Sequence, residues 1–141
     1  MVTMVERLTQ EERQNLLTLL ACLIEADKAS EPVMRAALMQ YARYLGVDPS
    51  WIRCEGLETP ASRITRPEAK VLVLAELMRL GRMDGNFSIA EMSVILEVAS
   101  LLKVPMHMLE KIECWVLKGI EWILEGNALL EQSRELLALP K

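Results

Sequence analysis

Aromatic side chains are scarce in this chain: three tryptophans, two tyrosines and one phenylalanine among 141 residues. Sheet cores draw on aromatics, so their scarcity beside a 52% hydrophobic content and nine methionines argues for a helical core of Leu, Ile, Val, Met and Ala. Histidine occurs once, at His107, with no second His or Cys nearby in sequence, which argues for a partly exposed helix residue over a metal or proton-transfer role. Cys22, Cys54 and Cys114 are widely spaced and form no Cys-x-x-Cys pair, so neither a zinc knuckle nor a dithiol redox motif is present. Cys22 and Cys114 lie among apolar residues and are expected to be buried thiols in a reducing compartment. There is no glycine-rich phosphate loop and no nucleophile–base constellation, hence no catalytic residue to name.

Long apolar runs and one-sided charge are missing as well. Leu16–Ile24, interrupted by Thr18, is the longest run and falls far short of the roughly 20 residues of a membrane span. Charges at Glu6, Arg7, Glu11, Glu12 and Arg13 leave no apolar segment for a secretory signal. A net charge of −4 with both signs interspersed gives nucleic acid no concentrated positive face. Arg53, Arg63 and Arg66 gather loosely around one loop and read as solvated. The expectation is one soluble, cytoplasmic domain, residues 1–141, without a transmembrane segment.

What is present is helical periodicity with marked starts and stops. Thr9 and Glu12 have capping-box spacing and open a helix bearing Leu16, Leu20, Leu23 and Ile24, ending near Asp27. Ser30-Glu31-Pro32 starts a second helix, with Val33, Ala37, Leu38, Tyr41 and Leu45 inward and Gly46 as a left-handed stop. Asp48-Pro49 begins a short helix through Ile52. Leu57–Arg66 reads as a connector, and Thr65 with Glu68 as a second capping box opening the next helix. Met83–Glu91 is a polar hinge, in which Asp84-Gly85-Asn86 forms a tight turn and Ser88 with Glu91 a further capping box. Pro105 starts another helix, Gly126-Asn127 interrupts it, and Ala128–Ala138 makes a last short one. The fold class is all-α, six or seven helices.

Sliding the chain by 57 residues places Leu17 on Leu74, Leu20 on Leu77, Asp27 on Asp84, Ala42 on Ala99 and Leu45 on Leu102. Leu and Ala matches arise between any two amphipathic helices; Asp27 with Asp84, each closing a helix before a turn, is the informative pair. The expected architecture is two related hairpins, 16–47 and 73–104, covered by C-terminal helices.

An acid at a helix C-terminus opposes the helix dipole. Two remedies are open: an Asx turn onto following amides, or a bound cation. Asp84, Asn86 and Ser88 have the opening spacing of an EF-hand loop, but Ile89 stands for its glycine and Ile95 for its bidentate Glu, so this is no EF-hand. A looser site of Asp84, Asn86 or a backbone carbonyl, and Glu91, with Asp27 and Glu31 near if the hairpins meet, would offer hard oxygens suited to Ca²⁺ or Mg²⁺. The alternative is that Ser88 and Glu91 only cap. Trp115 and Trp122 share a face with Ile112 and Gly119, either as core or as a stripe receiving another subunit's helix.

Leu80-Gly81-Arg82-Met83-Asp84-Gly85, then Glu91, then Leu101-Leu102-Lys103-Val104, resembles the TerB-like family associated with tellurite resistance. The first half carries a faded copy, with Lys28 for the glycine, Met34 for the Glu, and Leu45-Gly46-Val47 retained. The resemblance implies an internally duplicated, cytoplasmic, bacterial, non-enzymatic protein of the stress-response type. It also implies protein partners, peripheral membrane association in some members, and divalent metal at the acidic turns. Three readings follow: a partner-binding module with a cation at Asp84 and Glu91, a metal-free homodimer or adaptor docking through Trp115 and Trp122, or a carrier of a small apolar ligand in a Met-rich groove.

Overall fold

A helix with only a narrow polar strip needs neighbours around most of it. Leu16, Leu17 and Leu19 through Ile24 make such a helix, and every one of them is buried. The computed structural model describes residues 4–27, 31–82 and 87–138. Among these, six α-helices follow in order: α1 (Gln10–Ala26), α2 (Glu31–Tyr44), α3 (Glu58–Ser62), α4 (Pro67–Gly81), α5 (Ile89–Leu101) and α6 (Met106–Leu136). No strand occurs among the described residues, and the chain is an all-α single domain.

α1 lies at the centre, with α2, α3, α4 and α5 packed around it. α4 is nearly as apolar; Leu72 through Met78 are all buried, and its remaining side is covered by α5 and α6. α2 turns Met34, Leu38 and Ala42 inward, whereas Val33, expected on that face, is exposed. The core is therefore continuous from the first turn at Val5 to Val116 on α6.

Polar anchors fix how these helices meet. Glu12 completes the capping box with Thr9 and accepts two bonds from the Arg66 guanidinium, at 2.6 and 2.9 Å. Arg66 also donates to the Arg7 carbonyl at 3.0 Å, so the start of α4 is tied to the start of α1. The bonds from Arg66 hold the Glu12 carboxyl below the usual carboxylate range, against the opposing effect of burial. Because Arg66 is drawn to Glu12, it becomes the N-cap of α4 without a side-chain cap bond, and the capping box expected from Thr65 and Glu68 does not form. On the far side, buried Glu76 of α4 accepts from the Tyr41 hydroxyl of α2 at 2.5 Å and from Arg79 at 2.7 and 3.2 Å. Burial and the Glu76 charge push the Tyr41 hydroxyl far above its ordinary value.

The ends of α2 and α5 correspond bond for bond at an offset of 57 residues. Val47 N–H donates to the Ala42 carbonyl and Val104 N–H to the Ala99 carbonyl, both at 2.9 Å. Gly46 and Lys103, between them, both have positive φ, 75° and 59°. This is the left-handed helix stop, with glycine in one copy and a strained lysine in the other.

Four expectations are corrected. Cys22 is not a free thiol: it is disulfide-bonded to Cys54, with Cα atoms 4.7 Å apart, stapling α1 to the segment after the Pro49–Trp51 turn. Cys114 is not buried; it is exposed on α6. Gly126-Asn127 does not end a helix, because α6 runs unbroken for 31 residues, and the connector 57–66 contains α3.

Two outcomes test these anchors. The staple closes a loop across a separation of 32 residues, so Cys54→Ser is expected to lower unfolding free energy by about 3 kcal/mol in chemical denaturation without added thiol. Arg66→Ala is expected to lower Tm at neutral pH. A depressed carboxylate contributes stability above its unfolded pKa and loses it as pH falls through the folded value, so the deficit should shrink in acid. A deficit independent of pH would remove Glu12 from the account.

Candidate functional site

The hinge between α4 and α5 is built by close approach. Gly81 closes α4, and a Cβ added there would sit 2.9 Å from the Phe87 ring and 3.4 Å from Glu91 Oε2. A side chain at this position would press the Phe87 ring out of its place over Gly81. The Phe87 ring is also covered by the Arg82 guanidinium, 4.5 Å from its centroid, while Arg82 pairs with Glu113 of α6 at 3.2 Å.

Glu91 is the most buried charged residue of this region, at 1% exposure. Its Oε1 accepts from the Ser88 backbone N–H and the Ser88 hydroxyl, both at 3.1 Å, and Ser88 Oγ accepts from the Glu91 N–H at 3.1 Å. The capping box is complete, and it faces the positive end of α5, where a carboxylate is stabilised by the helix dipole. Met34, at the same offset of 57, is buried too: α2 has an apolar side chain where α5 has Glu91.

Asp84 and Asn86 lie outside the described residues. Asp27 is the C-cap of α1, partly buried, its N–H donating to the Ile24 carbonyl at 3.3 Å. Among the described residues no group of three or more His, Cys, Asp or Glu side chains is placed to hold a metal ion. His107 is exposed at the start of α6.

The other candidate face is on α6. Leu109, Ile112 and Val116 are buried against the core, but Trp115 and Trp122 are exposed, at 42% and 65%, so neither belongs to the core. Leu117, Leu124, Leu129, Leu130, Leu136 and Leu137 are exposed with them. This run of large apolar groups on the second half of one helix is what reading the sequence missed. The spacing that marks a core stripe is the same spacing that marks an uncovered one. Beside Trp115 a groove of about 180 Å³ between α4 and α6 is lined by Ala75, Glu76, Val116, Lys118 and Gly119. A second groove, about 240 Å³, is lined by Met78, Met92, Met106, Leu96 and Leu109. It is Met-rich, but smaller than the roughly 300–1,000 Å³ usual for ligand pockets.

Compared with protein-family models, curated proteins and solved structures, the chain finds no match in any of the three. No helix among the described residues is long and apolar enough to cross a membrane.

The elbow yields a stability test. Ser88→Ala is expected to cost about 0.5–2 kcal/mol in denaturant unfolding, the usual loss for an N-cap, and to cost the same with millimolar Ca²⁺ or Mg²⁺ present. A rise in Tm on adding either cation, abolished by Asp84→Asn, would give the elbow a metal instead.

Proposed function

We propose that this protein is a non-enzymatic helical module that acts by docking protein partners through the exposed face of α6. The single observation behind this reading is the pair Trp122 and Leu130, each about two-thirds exposed on a helix that has left the core. Isolated apolar residues are ordinary on a surface, whereas a contiguous row along one helix marks an interaction site. The charge of that half of α6 argues for protein over other partners. Between residues 118 and 138 it carries Glu121, Glu125, Glu131 and Glu135 against Lys118 and Arg134. Helices that lie on anionic membranes are Lys/Arg-rich on their polar side, and nucleic acid requires positive charge.

A cation at Asp84, Asn86, Glu91 and Asp27 is the competing proposal. It draws less support from the geometry, since two donors of Ser88 already occupy Glu91 Oε1. TerB-like ancestry, a bacterial stress role and a cytoplasmic location are likewise proposals resting on the motif at Leu80–Glu91. The matched stops at Gly46 and Lys103 support duplication of a helix pair. A disulfide is uncommon in a reducing cytoplasm, so thiol trapping in intact cells bears on the location.

The docking reading is tested by placing a photo-crosslinking amino acid at Asn127, exposed on this stretch of α6, and irradiating intact cells that make the protein. A specific crosslink to a polypeptide, lost in Trp122→Glu/Leu130→Glu, is expected. Absence of any polypeptide adduct would remove docking through this face.

A further inference from the structure

The large residues of α6 fall into rows with a period of seven. Trp122, Leu129 and Leu136 form one row; Ile123, Leu130 and Leu137 form the row beside it. Next to these, also seven apart, stand Gly119, Gly126 and Ser133. The second and third rows continue the stripe of Ile112 and Val116, which is buried against the core. The seam that packs α6 onto the domain thus runs on past the domain, over a helix about 46 Å long at 1.5 Å per residue.

Resting on the docking reading, we propose that the partner is a second copy of this chain, its α6 packed antiparallel over residues 119–137. Pairing each residue with the partner's residue whose number brings the sum to 256 meets the requirements of a close helix pair. Ile123 faces the partner's Ser133, Leu130 the partner's Gly126, and Leu137 the partner's Gly119, so each large side chain meets a small one. In the flanking row the pairs Trp122 with the partner's Leu136, and Leu129 with the partner's Leu129, sum to 258, so they sit about 3 Å of axial rise from the strictly level position and still touch beside the two-fold axis. A symmetric dimer contact must be complementary to itself, and this helix carries both the ridge and the groove. No charged residue lies in any of the three rows between 119 and 137; Glu121, Glu125, Glu131 and Glu135 fall outside them.

Area and local propensity agree. Within the three rows Trp122, Leu129, Leu130, Leu136 and Leu137 are each at least three-fifths exposed, an apolar surface that approaches the ~800 Å² per partner of a stable complex. Gly126 is a poor helix former, and a Cβ added there would meet nothing within 4 Å in the single chain. Close approach of a second backbone supplies its role. Helical stability in proteins comes mostly from packing of an apolar face, so pairing also accounts for the continuity of α6 through Gly126-Asn127.

The test is sedimentation equilibrium of the full chain from about 1 to 100 μM. A reversible monomer–dimer equilibrium is expected, weakened at least 100-fold by Leu130→Glu and by Gly126→Leu, with far-UV dichroism showing both variants folded. Register is read in a Cys114→Ser background: Leu129→Cys should link two chains through a short bismaleimide, and Leu124→Cys, outside the rows, should not. A chain monomeric at 100 μM, or a dimer indifferent to both substitutions, overturns the proposal. A monomer that still crosslinks another polypeptide at position 127 overturns self-pairing and keeps docking; a monomer with no adduct removes both. A monomer that co-floats with phosphatidylcholine vesicles overturns it in favour of a lipid surface.

Discussion

Burial of the Leu16–Ile24 stretch of α1, on all but its narrow Gln14–Thr18 side, governs the rest of the molecule. A helix with Leu, Ile, Ala and Cys around most of its circumference is stable in water only when other helices enclose it. α4 shares the condition, because seven successive residues from Leu72 to Met78 are buried. Two such helices side by side need an outer layer, which α2, α3, α5 and the first half of α6 supply. The few buried charges are arranged to serve this packing. Glu12 with Arg66 and Glu76 with Tyr41 and Arg79 link helices far apart in sequence, each carboxylate met by cationic or hydroxyl donors. Once α4 is covered, the need for α6 is met near Val116, and the remaining apolar length of that helix answers to something else.

Much of this was legible in residues and spacings. Capping boxes at Thr9/Glu12 and Ser88/Glu91 form as their spacing indicates, and Gly46 takes the left-handed conformation expected of it. These are local effects, set by neighbours three or four residues away. The box at Thr65/Glu68 failed for a non-local reason: Glu12, 54 residues back, takes Arg66. Cys22 with Cys54 and Tyr41 with Glu76 escaped notice on the same ground, since no motif spacing records a contact made only after helices pack.

α6 shows a different limit. Gly126-Asn127 is a sound stop signal by propensity, yet the helix passes through it, and a seven-residue period spans the break. Apolar spacing identifies a helix side that wants cover without saying whether the cover comes from the same chain. For the elbow, Glu91 was legible as a capping residue and as a metal ligand at once. The buried bonds to Ser88 favour capping, and Asp84 with Asn86 lie outside the described residues.

The account turns on the two halves of α6 having different sources of stability, one in the domain and one in a partner. Hydrogen exchange across the helix at two protein concentrations separates them. Amides of residues 106–116 should exchange slowly and alike at about 1 and 100 μM, while those of 121–136 should be protected only at the higher concentration. Protection of 121–136 that does not change on dilution, or its absence even at 100 μM, would contradict the account.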